Sequence, residues 1–231
     1  MTVRVRGIYT TALTVLFDDV VQASPAIQDR FDDSFSMTPA ESTIETTADR
    51  QGIGVHDTST DSGAHEAAVD RLRNLALDTL AWRARLPRGG IFAGEVVETL
   101  GSGAVVQCTP ADHRPAASNP ESDDPLPADG QTAGFLPYSK TADRVEEGDH
   151  LLVQVTESQP PWSDSRPLLD TTIRVEGGLA TLIPGGSTGS GQPDLADILP
   201  AEPPERWAIS WDRRADDADL DELSAVVERL G

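Results

Sequence analysis

The residues that could do chemistry in this sequence are few, and the densest group of them is acidic. Asp216, Asp217, Asp219, Asp221 and Glu222 fall within seven positions, a density of carboxylates that suits a hard cation such as magnesium. They also stand at the start of an apolar stripe, Leu220, Leu223, Val227 and Leu230, where carboxylates cap a helix and oppose its dipole. Capping is the stronger reading. Gly185-Gly186-Ser187-Thr188-Gly189 has the letters of a nucleophile elbow, but Gly191 and Pro193 follow where that motif needs a helix. Cys108 lies on an apolar stretch with no histidine beside it and reads as core. One cysteine and four scattered histidines cannot build a disulfide framework or a four-ligand zinc site. The catalytic residues are thus unknown from the sequence, and no metal site is expected. Cations gather at Arg83, Arg85 and Arg88. They read either as helix-end charges favoured by the dipole or as a basic strip opening toward a ligand.

The elements that must position these groups follow from the apolar patterning. With 231 residues, 38% of them apolar, the chain can fold on burial alone. Residues 3–8 alternate as a half-buried strand does, and Ala12, Leu13, Leu16 and Phe17 then recur at helical spacing. Residues 20–23 read as a second strand, followed by Ser24 as an N-cap and Pro25 as the first helical residue. A polar strand is expected near residues 43–47 and a turn at 49–52, before Gly54 and Val55. The longest helix is expected over residues 65–85, with Val69, Leu72, Ala76 and Leu80 on one stripe and Trp82 near its end.

The centre reads as strand throughout. Residues 91–100 and 104–108 form a hairpin about Gly101-Ser102-Gly103. Residues 110–131 hold hardly an apolar side chain larger than alanine and read as a disordered or looping insertion. Strands are expected again at residues 134–138, 151–156 and 168–175, with a polar turn at 143–149. Five short strands with a polar segment between the third and fourth outline an OB-fold barrel. Beyond it, residues 178–184 and the alternating Trp207, Ile209 and Trp211 read as strands, with a closing helix after them. The expected fold class is α+β. It divides into an N-terminal α/β segment over 1–88, a barrel over 89–176 and a C-terminal α+β piece over 177–231.

Charge constrains the partner. With 39 acidic against 18 basic residues the formal charge is -21, which by itself opposes any polyanion. Yet 25 of the acids are aspartate, they are spread along the chain, and Lys140 is its one lysine. That composition reads as a halophilic surface. In molar salt the Debye length is about 3 Å, so distant acids scarcely reach a ligand while local arginines and aromatic faces do. No apolar run is long enough to span a membrane, and the first residues lack the order of a signal peptide. The expected location is the cytoplasm, with no membrane partner.

Four segments carry a resemblance: GEVVETLGSGAVVQC (94–108), GFLPYSK (134–140), VEEGDHLLVQVTE (145–157) and LLDTTIRVEGGLATLIPG (168–185). In this order they resemble the RNA-binding OB barrel of RNase E and RNase G, run on into the next subdomain. VRVRGIYTTALT (3–14), VVQASPAIQDRF (20–31), DRQGIGV (49–55), DTLAWR (78–83) and PPWSDSRP (160–167) are similar to the archaeal AU-rich-RNA-binding proteins, a ribonuclease family of the RNase E/G type. The likeness spans nearly the whole chain and the front half of those longer proteins.

The resemblance implies that single-stranded or loop RNA is the partner, in rRNA maturation or RNA turnover. Its aromatic contact falls on Phe135 and its cation on Arg166, with Tyr138 and Lys140 beside them. Bases stacked on aromatics with a cation near the backbone would hold a single strand, while barrel core remains the other reading of Phe135. Where the bacterial enzymes carry a second aromatic this chain has Val105. The bacterial 5′-phosphate pocket ends in an Arg-Thr pair; here Trp211-Asp212 stand there, and Arg213 or Arg214 are the candidate phosphate contacts. Two further expectations stay open. One is an endoribonuclease acting on precursor rRNA, with magnesium as its cofactor, although this chain ends before a carboxylate-bearing nuclease domain would begin. The other is a shortened paralogue that docks onto a protein.

A halophilic surface repels itself in dilute buffer, so the melting temperature should climb steeply between low ionic strength and molar potassium chloride. A thermal melt that is flat across that series overturns the salt-adapted reading.

Overall fold

Alternation of small and large inward residues lets the middle of this chain curl on itself. In a computed structural model that describes residues 1–57, 63–75, 80–109, 132–185 and 204–230, residues Trp82–Ile173 form one compact unit. Met1–Ala81 and Arg174–Gly231 together form the other, the first unit in chain order. The expected insertion, 110–131, lies outside the described residues.

The first unit begins with β1 (Val3–Arg6), α1 (Thr10–Leu16) and α2 (Pro25–Phe31). Pro25 takes the first helical position, as expected, and the Ser24 carbonyl rather than its hydroxyl accepts the first amides. The strand expected at 20–23 is reduced to one bridge, Val20 to Val3, because Gln22 is left-handed at φ 52° and breaks the extension. β2 (Ser42–Thr46) lies between a parallel β1 and an antiparallel β3 (Ile53–Asp57). Val3, Val5, Leu13, Phe17, Ile44 and Ala68 form the core on this sheet.

The helix expected over residues 65–85 is shorter: α3 spans Gly63–Arg73. Asn74 donates to the Asp70 carbonyl, but Leu75 donates to Leu72, a tightened last turn of the kind that ends helices. Residues 76–79 lie outside the described residues, and Leu80 and Trp82 are not helical.

The barrel strands are β4 (Ile91–Thr99), β5 (Gly103–Thr109), β6 (Ala133–Pro137), β7 (His150–Glu157) and β8 (Leu168–Asp170). They close in the order β4-β5-β6-β8-β7, antiparallel throughout except for β6 on β8. This first-second-third-fifth-fourth order is that of an OB barrel, and the protein is an α+β fold. The interior holds Val96, Ala104, Val106, Leu136, Val153 and Leu169, with Leu86 and Val145 from the flanking segments.

The strand expected over 168–175 is two. Thr172 donates its amide to Asp170 Oδ1 at 2.8 Å, a local turn that competes with extension. β9 (Val175–Glu176) then joins the first unit, pairing with β10 (Ala180–Pro184), which pairs in turn with β11 (Trp207–Trp211). The closing helix, α4 (Leu220–Leu230), packs Leu223, Val226 and Val227 with Leu179, Leu182, Ile209 and the distant Met37.

Gly134 is where the barrel leaves no room. A Cβ there would fall 2.6 Å from Leu169 Cδ1 and Cγ, so Gly134→Ala should cost about 1–3 kcal/mol by overpacking. Urea unfolding checks this. A variant as stable as the parent would show that β6 and β8 are free to separate.

Candidate nucleic-acid interface

On β6 the inward positions are Gly134 and Leu136, so the strand period turns Phe135 to the outer face. Leu136 is fully buried in the barrel core, whereas Phe135 is half-buried and lies outside that cluster. It faces Val105 on β5 and Leu168 on β8. The tip of its ring lies over Gly103, where a Cβ would come within 2.6 Å of Cζ. Any side chain at 103 would displace the ring. Its amide donates to the Pro167 carbonyl at 2.8 Å, which brings Phe135 within one residue of Arg166, exposed in the loop between β7 and β8.

Tyr138 and Lys140 share the short 3-10 turn that follows β6. The Tyr138 amide donates to the Ser102 carbonyl at 3.1 Å, and its side chain is exposed. Lys140 is differently committed: its ammonium stands 3.3 Å from Oδ2 of Asp170, whose side chain is 2% exposed. The Lys140 carbonyl accepts both the amide and the hydroxyl of Thr171. The barrel's lysine thus partners a buried carboxylate at the point where the chain leaves β8. Phe135, Tyr138, Lys140 and Arg166 all belong to the barrel unit.

Arg213 and Arg214 belong to the other unit. Arg213 is exposed. Arg214 grips Asp212 with two bonds, Nε to Oδ1 at 2.7 Å and Nη2 to Oδ2 at 3.0 Å. It also reaches the carbonyls of Gln22 and Gly178 at 3.5 and 3.4 Å. Partial burial pulls its pKa below the ordinary guanidinium value. This is the geometry of a strut joining the first and last segments of that unit.

Two members of the acidic cluster form a cap. Asp219 Oδ1 accepts the Glu222 amide at 2.8 Å while Glu222 Oε2 accepts the Asp219 amide at 3.2 Å, a reciprocal capping box. Glu222 Oε1 further accepts from Ser36 Oγ and from the Met37 amide, at 2.8 and 2.7 Å. Among the described residues no three histidine, cysteine or acidic side chains gather as a metal would need. Cys108 is buried, its thiol pushed up to about 11 by desolvation, and such a thiol is unreactive. Of the Gly185–Gly189 stretch, residues 186–189 lie outside the described residues.

The sequence reading passed over one constellation. Trp82 and Trp162 are 80 positions apart, yet their rings meet edge to face at 4.6 Å and 71°. Each tryptophan sits beside arginine or proline, Trp82 in DTLAWR at the end of the expected helix and Trp162 in the loop PPWSDSRP. An indole in such company was the available signal.

No family model matches the chain. Curated relatives do. A protein of Natronomonas pharaonis named "Probable ribonuclease FAU-1" is 44% identical over 233 residues, taking in 99% of this chain and 46% of the relative. Its namesake in Haloarcula marismortui is 46% identical over 219 residues, or 92% of this chain and 42% of that one. Another namesake, in Haloquadratum walsbyi, is 38% identical over 248 residues, 98% and 48%. The chain spans a little under half the length of the curated relatives it matches.

Removing the Lys140 charge should unsettle the barrel without any ligand present. Lys140→Met leaves the buried Asp170 carboxylate unpaired, and a loss of about 1–3 kcal/mol is expected, since half-exposure of the ammonium softens the effect. Asp170→Asn in that background should recover part of it. Equal stability of Lys140→Met and the parent in urea would mean the ion pair is incidental.

Proposed function

We propose that this chain is an RNA-binding module of the RNase E/G type, holding single-stranded or AU-rich loop RNA across the outer face of its barrel. The observation that carries the reading is Phe135: an aromatic on the outward side of an OB barrel, half-buried, beside an exposed arginine. Single strands bind such surfaces by stacking bases on aromatic faces while a cation tracks the backbone. Phe135 and Tyr138 are the proposed platforms and Arg166 the cation. Lys140 lies at the edge of this surface and, with its charge shared by Asp170, adds less. Val105 is paired with Phe135 across β5 and β6 and offers no second stacking face, so affinity rests on few contacts. Of the two C-terminal arginines, exposed Arg213 is the better candidate for a phosphate. The relatives' printed name, a probable ribonuclease, supports RNA as the partner; maturation or turnover of RNA in the cytoplasm is the setting proposed with it.

That name also favours a second reading, a ribonuclease, which is proposed as an endoribonuclease acting on precursor rRNA. Magnesium would be its cofactor, but the carboxylates described here do not fit one: Asp219 and Glu222 are engaged in their capping box and against Ser36 and Met37.

The two proposed contacts differ in how they respond to salt. On an unstructured AU-rich oligomer, Phe135→Ala should weaken binding by about 1–3 kcal/mol with the salt dependence unchanged. Arg166→Ala should flatten the slope of log affinity against log salt by about 0.7, one phosphate's share. Phe135→Leu keeps most of the volume and loses the π-face; if it binds like the parent, Phe135 serves packing. Absence of binding in molar potassium chloride by the folded chain overturns the reading and favours a protein partner. Magnesium-dependent cleavage by the purified chain favours the nuclease.

A further inference from the structure

The barrel unit also holds a cleft of about 250 Å³ between residues 82–86, which precede β4, and residues 159–167, which join β7 to β8. Arg83, Arg85 and Arg166 line it against a single acid, Asp164. Three of 18 basic residues thus converge on one net-positive cleft in a chain of charge -21. Arg166 is exposed at this cleft, and a guanidinium fork pairs best with an anionic oxygen.

Beside the cations stand two indoles. Trp82 lines the cleft and Trp162 meets it edge-on, yet they keep 36% and 56% of their surface exposed. Side chains that could each bury roughly 150–250 Å² are left in water where a flat ligand would cover them. The walls are held in place. Leu86 is anchored in the barrel core and its carbonyl accepts Ser158 Oγ at 2.9 Å. Gly89 and Gly90 exchange backbone bonds with Val155 on β7. The facing loop is stiffened by Pro160 and Pro161, and by the Ser163 amide donating to the Pro160 carbonyl at 2.9 Å. A cleft already ordered loses little entropy on binding.

We propose that this cleft binds one nucleotide unit of an RNA single strand, its base against the indoles of Trp82 and Trp162 and its phosphate on Arg85 and Arg166. The inference rests on the RNA-binding reading of the barrel and extends it. Arg166 lines the cleft while the Pro167 carbonyl receives the Phe135 amide, so a strand stacked on Phe135 continues into the cleft. A proline-rich peptide would use exposed indoles too, but brings no anion for Arg85.

The test uses the whole chain in molar potassium chloride, with a labelled AU octamer and adenosine 5′-monophosphate as probes, on the parent, Trp162→Leu, Arg85→Gln and Phe135→Leu. Trp162 is more than half exposed, so its replacement should keep the melt of the parent. The octamer should quench the parent's indole fluorescence, and its affinity should fall about 5- to 150-fold in Trp162→Leu, the cost of one lost stack. Arg85→Gln should weaken it as well, and the mononucleotide's weaker quenching should vanish in Trp162→Leu. Unchanged octamer binding in Trp162→Leu and Arg85→Gln, with Phe135→Leu weakened, overturns the cleft and leaves the barrel reading standing. Binding of the mononucleotide without the octamer overturns an RNA strand as the ligand. Binding of neither by folded protein overturns both inferences together.

Discussion

Closure of the barrel hangs on one short parallel contact, β6 against β8, and the candidate surface is a consequence of it. Phe135 and Leu168 are the paired residues, and the Phe135 amide reaches back to Pro167. For β6 to come this close to β8, position 134 must carry no side chain against Leu169. Leu136 and Leu169 then fill the interior, and the period of the strand leaves Phe135 no choice but the outside. The same contact draws the β7–β8 loop, with Arg166, alongside it. Lys140 on buried Asp170, and Thr171 on the Lys140 carbonyl, fasten the end of that seam.

The other unit is bound together by polar groups with more than one task. Glu222 caps its own helix and, through its other oxygen, fixes Ser36 and Met37 from near the opposite end of the chain. Met37 enters the apolar cluster of β10, β11 and α4. Gln22, left-handed and buried, donates to the Met37 carbonyl and offers its own carbonyl to Arg6 and Arg214. Glu222, which belongs to a run that looks like a metal site in one dimension, is in this fold a fastener between distant segments.

Electrostatics separates these arginines. Arg214 is matched by Asp212 and two carbonyls, which is the use of a guanidinium fork to bridge segments. Arg83, Arg85 and Arg166 line one cleft with a single acid, Asp164. A strongly acidic chain has abundant carboxylates with which to neutralise arginines, so three of them beside exposed indoles are a more specific signal here than they would be on a basic protein.

What the sequence determined by itself was whatever a local period or a local breaker controls. The alternation through residues 91–108 and 207–211, the Ser24-Pro25 helix start, the barrel outline and the capping at residues 219–222 were legible because the decisive interactions lie within a few positions of one another. Local patterning misjudged α3, whose apolar stripe ran on past the point where Asn74 and Leu75 tighten the last turn. It also misjudged residues 168–175, which read as one strand because the Asp170–Thr172 turn is invisible to hydrophobic period. Only the tertiary structure decided that Phe135 faces outward, that Lys140 answers a buried carboxylate, and that Trp82, which lines a cleft of arginines, meets Trp162, 80 residues away. Each of those depends on which segments the barrel's closure brings together, and spacing along a chain carries no record of a contact that forms only when a sheet closes on itself.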